Sequence, residues 1–124
     1  MRCHTYTLIG QTPVPEPNLD RWSRWMEFEN RVVKQTHVEG TACFVSTVFL
    51  GIDYQFTQTG PPILFETMVF ADGHAGELEM SRCSTWLEAE AQHERMIEYV
   101  EERYGRRGID RSIHPKKKRN PTQS

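Results

Sequence analysis

Asp53, Glu66 and His93 are ionisable side chains set in or beside apolar runs, where each needs a physical reason to be. Asp53 follows Val48-Phe49-Leu50-Gly51-Ile52, Glu66 lies between Phe65 and Thr67, and His93 falls on the apolar face of a helical pattern. A carboxylate meeting an imidazole could work as a general base or bind a metal ion. Against that stands a structural reading. Glu66 can face outward or pair with Arg82 on a sheet surface, and His93 can be a helix histidine whose ring finds hydrogen-bond partners.

Other chemistry has little support in the spacing. The histidines His4, His37, His74, His93 and His114 form no HExxH pattern. Cys3 and His4 are adjacent, so on an extended segment they point in opposite directions and do not share an ion. No metal site is expected. Ser46, Ser81 and Ser84 lie in no GxSxG context, and Gly51, Gly60, Gly73 and Gly76 read as turn glycines rather than a phosphate loop. No cofactor is implied. Cys3, Cys43 and Cys83, with no CxxC pair, fit reduced thiols better than a disulfide framework.

The elements that would position these residues follow from pattern. From Met1 to Pro17 an alternating run, Thr5 to Ile9, gives way to Pro13, Pro15 and Pro17, which predicts an extended, hydrogen-bond-poor strap across the surface. Asn18 can cap a helix over Leu19–Glu29, with Leu19, Trp22 and Met26 at helical spacing and Trp25 and Phe28 widening the stripe. Arg31–Val38 reads as a strand exposed on one side, followed by a Glu39-Gly40 turn. Thr41–Tyr54 is the strongest strand signal: Cys43, Val45, Thr47 and Phe49 share one face, while Phe44, Ser46, Val48, Leu50 and Ile52 share the other. Both faces are largely apolar, which calls for a central strand covered on each side. After the Gly60-Pro61-Pro62 break, Ile63–Ala71 forms its antiparallel partner, and Leu78–Cys83 a weak fourth strand. Thr85 with Glu88 makes a capping box for a final helix over Thr85–Arg103, which Gly105 stops.

The chain has 124 residues, the size of one domain. Its formal charge of −2 is unevenly spread: 105–124 carries seven Lys or Arg against Asp110 alone, leaving −8 for the rest. Residues 1–104 are therefore read as one folded domain and 105–124 as a basic, disordered tail. Lys116, Lys117, Lys118 and Arg119 can contact nucleic-acid phosphates without reading sequence, or simply keep the chain soluble. No run approaches the roughly 20 apolar residues of a membrane span, and Met1–Gly10 lacks the pattern of an export signal, so a cytosolic location is expected. Trp22, Trp25 and Phe56 belong to a large aromatic set, part of which can serve as a protein-binding surface rather than core.

Longer blocks carry a resemblance. Ser46-Thr47-Val48-Phe49-Leu50-Gly51-Ile52-Asp53, Gly60-Pro61-Pro62-Ile63-Leu64-Phe65-Glu66-Thr67-Met68-Val69-Phe70 and Ser84-Thr85-Trp86-Leu87-Glu88-Ala89-Glu90-Ala91-Gln92-His93 look like a widespread family of small uncharacterised proteins of tailed bacteriophages and prophages. The likeness covers roughly residues 10 to 103. Similar proteins often carry a histidine where this chain has Tyr54 and a glycine where it has Gln92. The first departure removes a ligand or base beside Asp53. The resemblance implies an accessory protein in the cytoplasm of an infected or lysogenic bacterium.

The expected architecture is α+β: a mainly antiparallel sheet of three or four strands, a C-terminal helix packed on it, and a short N-terminal helix as further cover. The leading functional expectation is a non-enzymatic module that binds a host or phage protein, with self-association as a further possibility. The alternatives are a small enzyme or ligand-binding protein using Asp53, Glu66 and His93, and nonspecific nucleic-acid contact through the tail.

Overall fold

A computed structural model of the chain describes residues 2–55, 57 and 59–105. Phe56 and the basic run Lys116–Arg119 lie outside the described residues, as does the tail after Gly105. The order of elements is β1 (Tyr6–Ile9), β2 (Thr12–Pro15), α1 (Leu19–Phe28), β3 (Val32–His37), β4 (Cys43–Phe49), β5 (Phe65–Ala71), β6 (Glu79–Cys83) and α2 (Trp86–Tyr104). The architecture is α+β. Strands β3-β4-β5-β6 form an antiparallel sheet in sequence order, and β1 pairs with β2 in a separate hairpin.

The hairpin corrects the expected strap. Gly10, at φ 63°, allows the reversal, and Ile9 then pairs with Thr12, Thr7 with Val14, and the Glu16 amide with the Thr5 carbonyl. Pro13 and Pro15 fall at the alternate positions, where the strand needs no amide. The proline spacing that suggested an unpaired path is thus the spacing of an edge strand. The other side of β1 joins the body through the Tyr6 amide to the Gly51 carbonyl and the Asp53 amide to the His4 carbonyl.

The expected long strand over Thr41–Tyr54 ends at Phe49 because Gly51 turns the chain at φ 77°. This turn also seats α1. A Cβ on Gly51 would meet Met26 Sδ at 2.5 Å, and Trp22 Nε1 donates to the Gly51 carbonyl at 3.0 Å. Asn18 caps α1 by accepting from the Arg21 amide.

Helix α2 begins with the capping box: Thr85 accepts from the Glu88 amide, and the Glu88 carboxylate accepts from the Thr85 amide. It lies across one face of the four-stranded sheet. Its Ala89 packs with Tyr6, Phe49, Leu64 and Phe65 in one apolar group toward its start, and its Val100 with Val38, Cys43, Val45 and Val69 in another toward its end. Trp25 meets Phe49 edge-on at 5.7 Å between ring centroids, and Trp86 meets Phe65 edge-on at 6.2 Å. Both helices therefore serve the same side of the sheet. The second face has no helix over it among the described residues, although cover on each side was expected.

Candidate functional site

The register assigns every strand side chain to a face. Beneath α2, Lys34, Thr47, Thr67 and Ser81 form one cross-strand rung, Thr36, Val45, Val69 and Glu79 the next, and Phe49, Phe65 and Cys83 a third. The opposite face carries Val32, Val48, Glu66 and Arg82, then Gln35, Ser46, Met68 and Met80, then His37, Phe44 and Phe70.

His93 is wholly buried beneath α2 and enters a chain of hydroxyls. Its Nδ1 is 2.7 Å from Thr47 Oγ1 and its Nε2 2.9 Å from Thr36 Oγ1, while Thr47 Oγ1 is 2.7 Å from Thr67 Oγ1. Either neutral tautomer completes this chain, because each hydroxyl can donate in one direction and accept from the other. Burial pushes the imidazole below its ordinary pKa, Lys34 adds to the effect, and Glu94 opposes it. The arrangement satisfies buried polar atoms. It presents no reactive atom to solvent.

Asp53 is also buried, at 2 % exposure, and each of its oxygens is engaged. Oδ1 accepts from the Gln55 and Ile63 amides at 2.7 and 2.9 Å, closing the loop between them. Oδ2 takes Arg2, whose Nε and Nη2 lie 3.1 and 3.0 Å away. Nearby Tyr6 has its phenol pushed up, first by burial and then by Asp53. This carboxylate ties the N-terminal segment and the loop to the body.

Glu66 lies on the opposite face from His93, at 8 % exposure, and accepts from Arg82 Nε at 2.9 Å. The Arg82 guanidinium in turn lies 4.4 Å from the centre of the Tyr54 ring. Thus Asp53, Glu66 and His93 do not converge, because the alternation of β5 and the packing of α2 send Glu66 and His93 to opposite sides of the sheet. Of the two readings the sequence left open, the geometry follows the structural one: the imidazole meets threonines, and Glu66 meets Arg82. Cys83 makes a poor nucleophile, since burial and the neighbouring Glu88 push its thiol up to about 11. Among the described residues no three His, Cys, Asp or Glu side chains cluster as a metal would require.

The aromatic expectations divide in the same way. Trp22 and Trp25 are half-buried and committed to internal contacts with Gly51 and Phe49, so they hold α1 in place rather than form a free surface. Single apolar side chains stand exposed on the helices and the hairpin, among them Leu87, Phe28, Leu19 and Ile9, while the uncovered sheet face groups several together. Phe70 is 37 % exposed and Met80 45 %, with Phe44, Val48 and Met68 half-buried between them. The Tyr54, Arg82 and Glu66 stack borders this patch, and Gln35 donates to Ser46 across it at 3.1 Å. The alternation of β4 already separated Phe44, Ser46 and Val48 from the buried set. What it lacked was the knowledge that both helices would choose the other side.

A second feature adjoins β6. A groove of about 330 Å³ between β6 and α2 is lined by Glu79, Met80 and Ser81 from the strand and Gln92, Arg95, Met96 and Tyr99 from the helix. Gln92 Nε2 donates to Ser81 Oγ at 2.9 Å and to the Arg82 carbonyl at 3.3 Å. That carbonyl can only accept, which fixes the orientation of the amide. Tyr99 donates to Glu79 at 3.0 Å.

Among the described residues no helix is long and apolar enough to cross a membrane. No protein-family profile, no curated protein and no solved structure matches the chain.

Proposed function

We propose that this chain is a non-enzymatic accessory protein, of the tailed-phage kind its sequence resembles, that binds a host or phage protein in the bacterial cytoplasm. The observation that carries the reading is the uncovered sheet face. Phe44, Val48, Met68, Phe70 and Met80 form a contiguous apolar patch with a polar border at Arg82, Glu66 and Gln35. A central apolar area with a polar rim is the composition of a protein-binding surface, and a flat sheet suits a partner that offers an apolar ridge. The catalytic alternative loses its support because its three groups do not meet.

The test compares proteins recovered from infected-cell lysate by the wild-type chain, by Phe70→Asp with Val48→Lys, and by Glu90→Ala on the solvated side of α2. A partner held by the wild type and by Glu90→Ala, but lost with the sheet-face pair, is the expected result. Equal recovery by all three, or none by any, would overturn the reading.

A further inference from the structure

Among the described residues three strand edges face outward, and two of them are guarded. On β2 the positions turned away from β1 are Pro13 and Pro15, with Pro17 continuing the alternation, so that edge offers no amide at those positions. On β3 the register slips between Val32 and Lys34, which bends the edge and breaks its ladder. Strand β6 has neither proline nor lysine. Its two charged side chains are drawn away from the edge, Arg82 to Glu66 on one face and Glu79 to Tyr99 on the other.

Backbone alternation fixes what the β6 edge presents. The Leu64 amide donates to the Cys83 carbonyl, so Cys83 points into the sheet, and the peptide groups of Arg82 and Met80 therefore point outward. Gln92 reaching the Arg82 carbonyl from α2 agrees with that direction. Two such edges are self-complementary when antiparallel. With Ser81 opposite its own symmetry mate, Met80 pairs with Arg82 of a second copy and Arg82 with Met80, giving four backbone hydrogen bonds about a twofold axis.

The same register brings opposite charges together. It sets Glu79 of one copy across from Cys83 of the other. Arg95, which has no hydrogen-bond or ion-pair partner among the described residues, lines the groove beside β6 with Glu79 and Ser81, and its charge reaches the Cys83 thiol, lowering its pKa against larger opposing effects. A guanidinium stands near the place where the second copy's Glu79 carboxylate arrives, twice over by symmetry. Helix α2 packs mainly over β4 and β5 and reaches the outward groups of β6 only through Gln92, whose bond to the Arg82 carbonyl leaves that oxygen a second lone pair for the incoming strand.

We propose that a second copy of this chain pairs antiparallel with β6 through Met80 and Arg82, with Arg95 facing Glu79 across the junction, to form a continuous eight-stranded sheet. The uncovered apolar faces of the two copies then run together as one surface. The contact is independent of the partner-binding reading above, and each can fail without the other.

Sedimentation of the full chain over a concentration series tests it. A reversible monomer–dimer equilibrium is expected. Met80→Pro removes an outward amide without touching the β5 ladder and should abolish the dimer, while its circular dichroism remains that of the wild type. Arg95→Glu or Glu79→Arg alone should weaken dimerisation roughly tenfold, and the two together should restore it, as two exposed ion pairs per dimer require. A wild type that stays monomeric to about 1 mM, where association is too weak to be specific, would overturn the proposal. So would a dimer indifferent to Met80→Pro, or a double reversal no better than either single one. If Met80→Pro fails to fold, the charge reversals decide alone.

Discussion

The two faces of the four-stranded sheet are built from the same strands by the same alternation, yet they treat polar groups in opposite ways. Beneath α2 no water competes, so each buried hydroxyl or imidazole must find a protein partner, and Thr36, His93, Thr47 and Thr67 find one another. On the other face Glu66 pairs with an arginine that remains one-third exposed, and the apolar residues around it keep some contact with solvent. A half-buried face tolerates an ion pair because water still solvates it. The sealed centre of the covered face uses neutral groups, and burial holds His93 in its neutral form, while the charged pair of Lys34 with Glu94 stands at its exposed margin.

The widest gap between the faces should appear on truncating a phenylalanine. Phe65, fully buried against Phe49 and Trp86, should cost about 3–5 kcal/mol as Phe65→Ala. Phe70→Ala, on the face turned away from α2 and partly solvated, should cost about 1 kcal/mol or less. Urea unfolding of both variants measures the difference. Similar losses would mean that the second face is covered, and the interaction surface would then have to be sought elsewhere.

A smaller contrast concerns hydroxyls on neighbouring residues of β4. Thr47→Val keeps the shape but deprives His93 Nδ1 and Thr67 of a partner in a sealed site, which should cost about 1–3 kcal/mol. Ser46→Val lies on the open face, where Gln35 can turn to water, and should change stability by less than about 0.5 kcal/mol. If the two substitutions cost the same in thermal unfolding, the threonine and histidine chain is not the closed network described.

Much of this division is legible in the sequence. The period-two pattern of β4 sorted its residues into the two faces, Thr85 and Glu88 marked the start of α2, and His93 fell on the buried side of that helix. The choice of covered face was not legible, because it depends on where Gly51 turns the chain and on the seating of Trp22 and Met26 against that turn. Those contacts join residues far apart in sequence. The proline run misled for a related reason: spacing by two excludes amides from one edge of a strand but says nothing of whether the other edge is paired. Asp53 and Glu66 drew notice as carboxylates among apolar neighbours, and their partners, Arg2 with two loop amides and Arg82, carry no spacing signal.

The smallest of these expected effects is a dependence on mild acid that only the covered face can produce. His93 has its pKa lowered in the folded chain by burial, so below the ordinary value of 6.5 the unfolded chain takes up a proton that the native imidazole resists. The unfolded state then binds more protons than the native one, and stability falls as the pH falls. Above 6.5 both states are neutral and this contribution is fully present. It is lost as the pH drops from 6.5 through the lowered native pKa, below which the native ring is charged as well and the dependence levels off. Urea midpoints for the wild type and His93→Gln, taken at about pH 7.5, 6.5 and 5.5, isolate this contribution, since the remaining histidines are common to both chains. The wild-type midpoint should fall more steeply than that of the variant between the two lower values. Parallel curves would show that the His93 ring gains a proton as easily in the folded chain as in the unfolded one, and the seal that α2 places over this face would then be open to water.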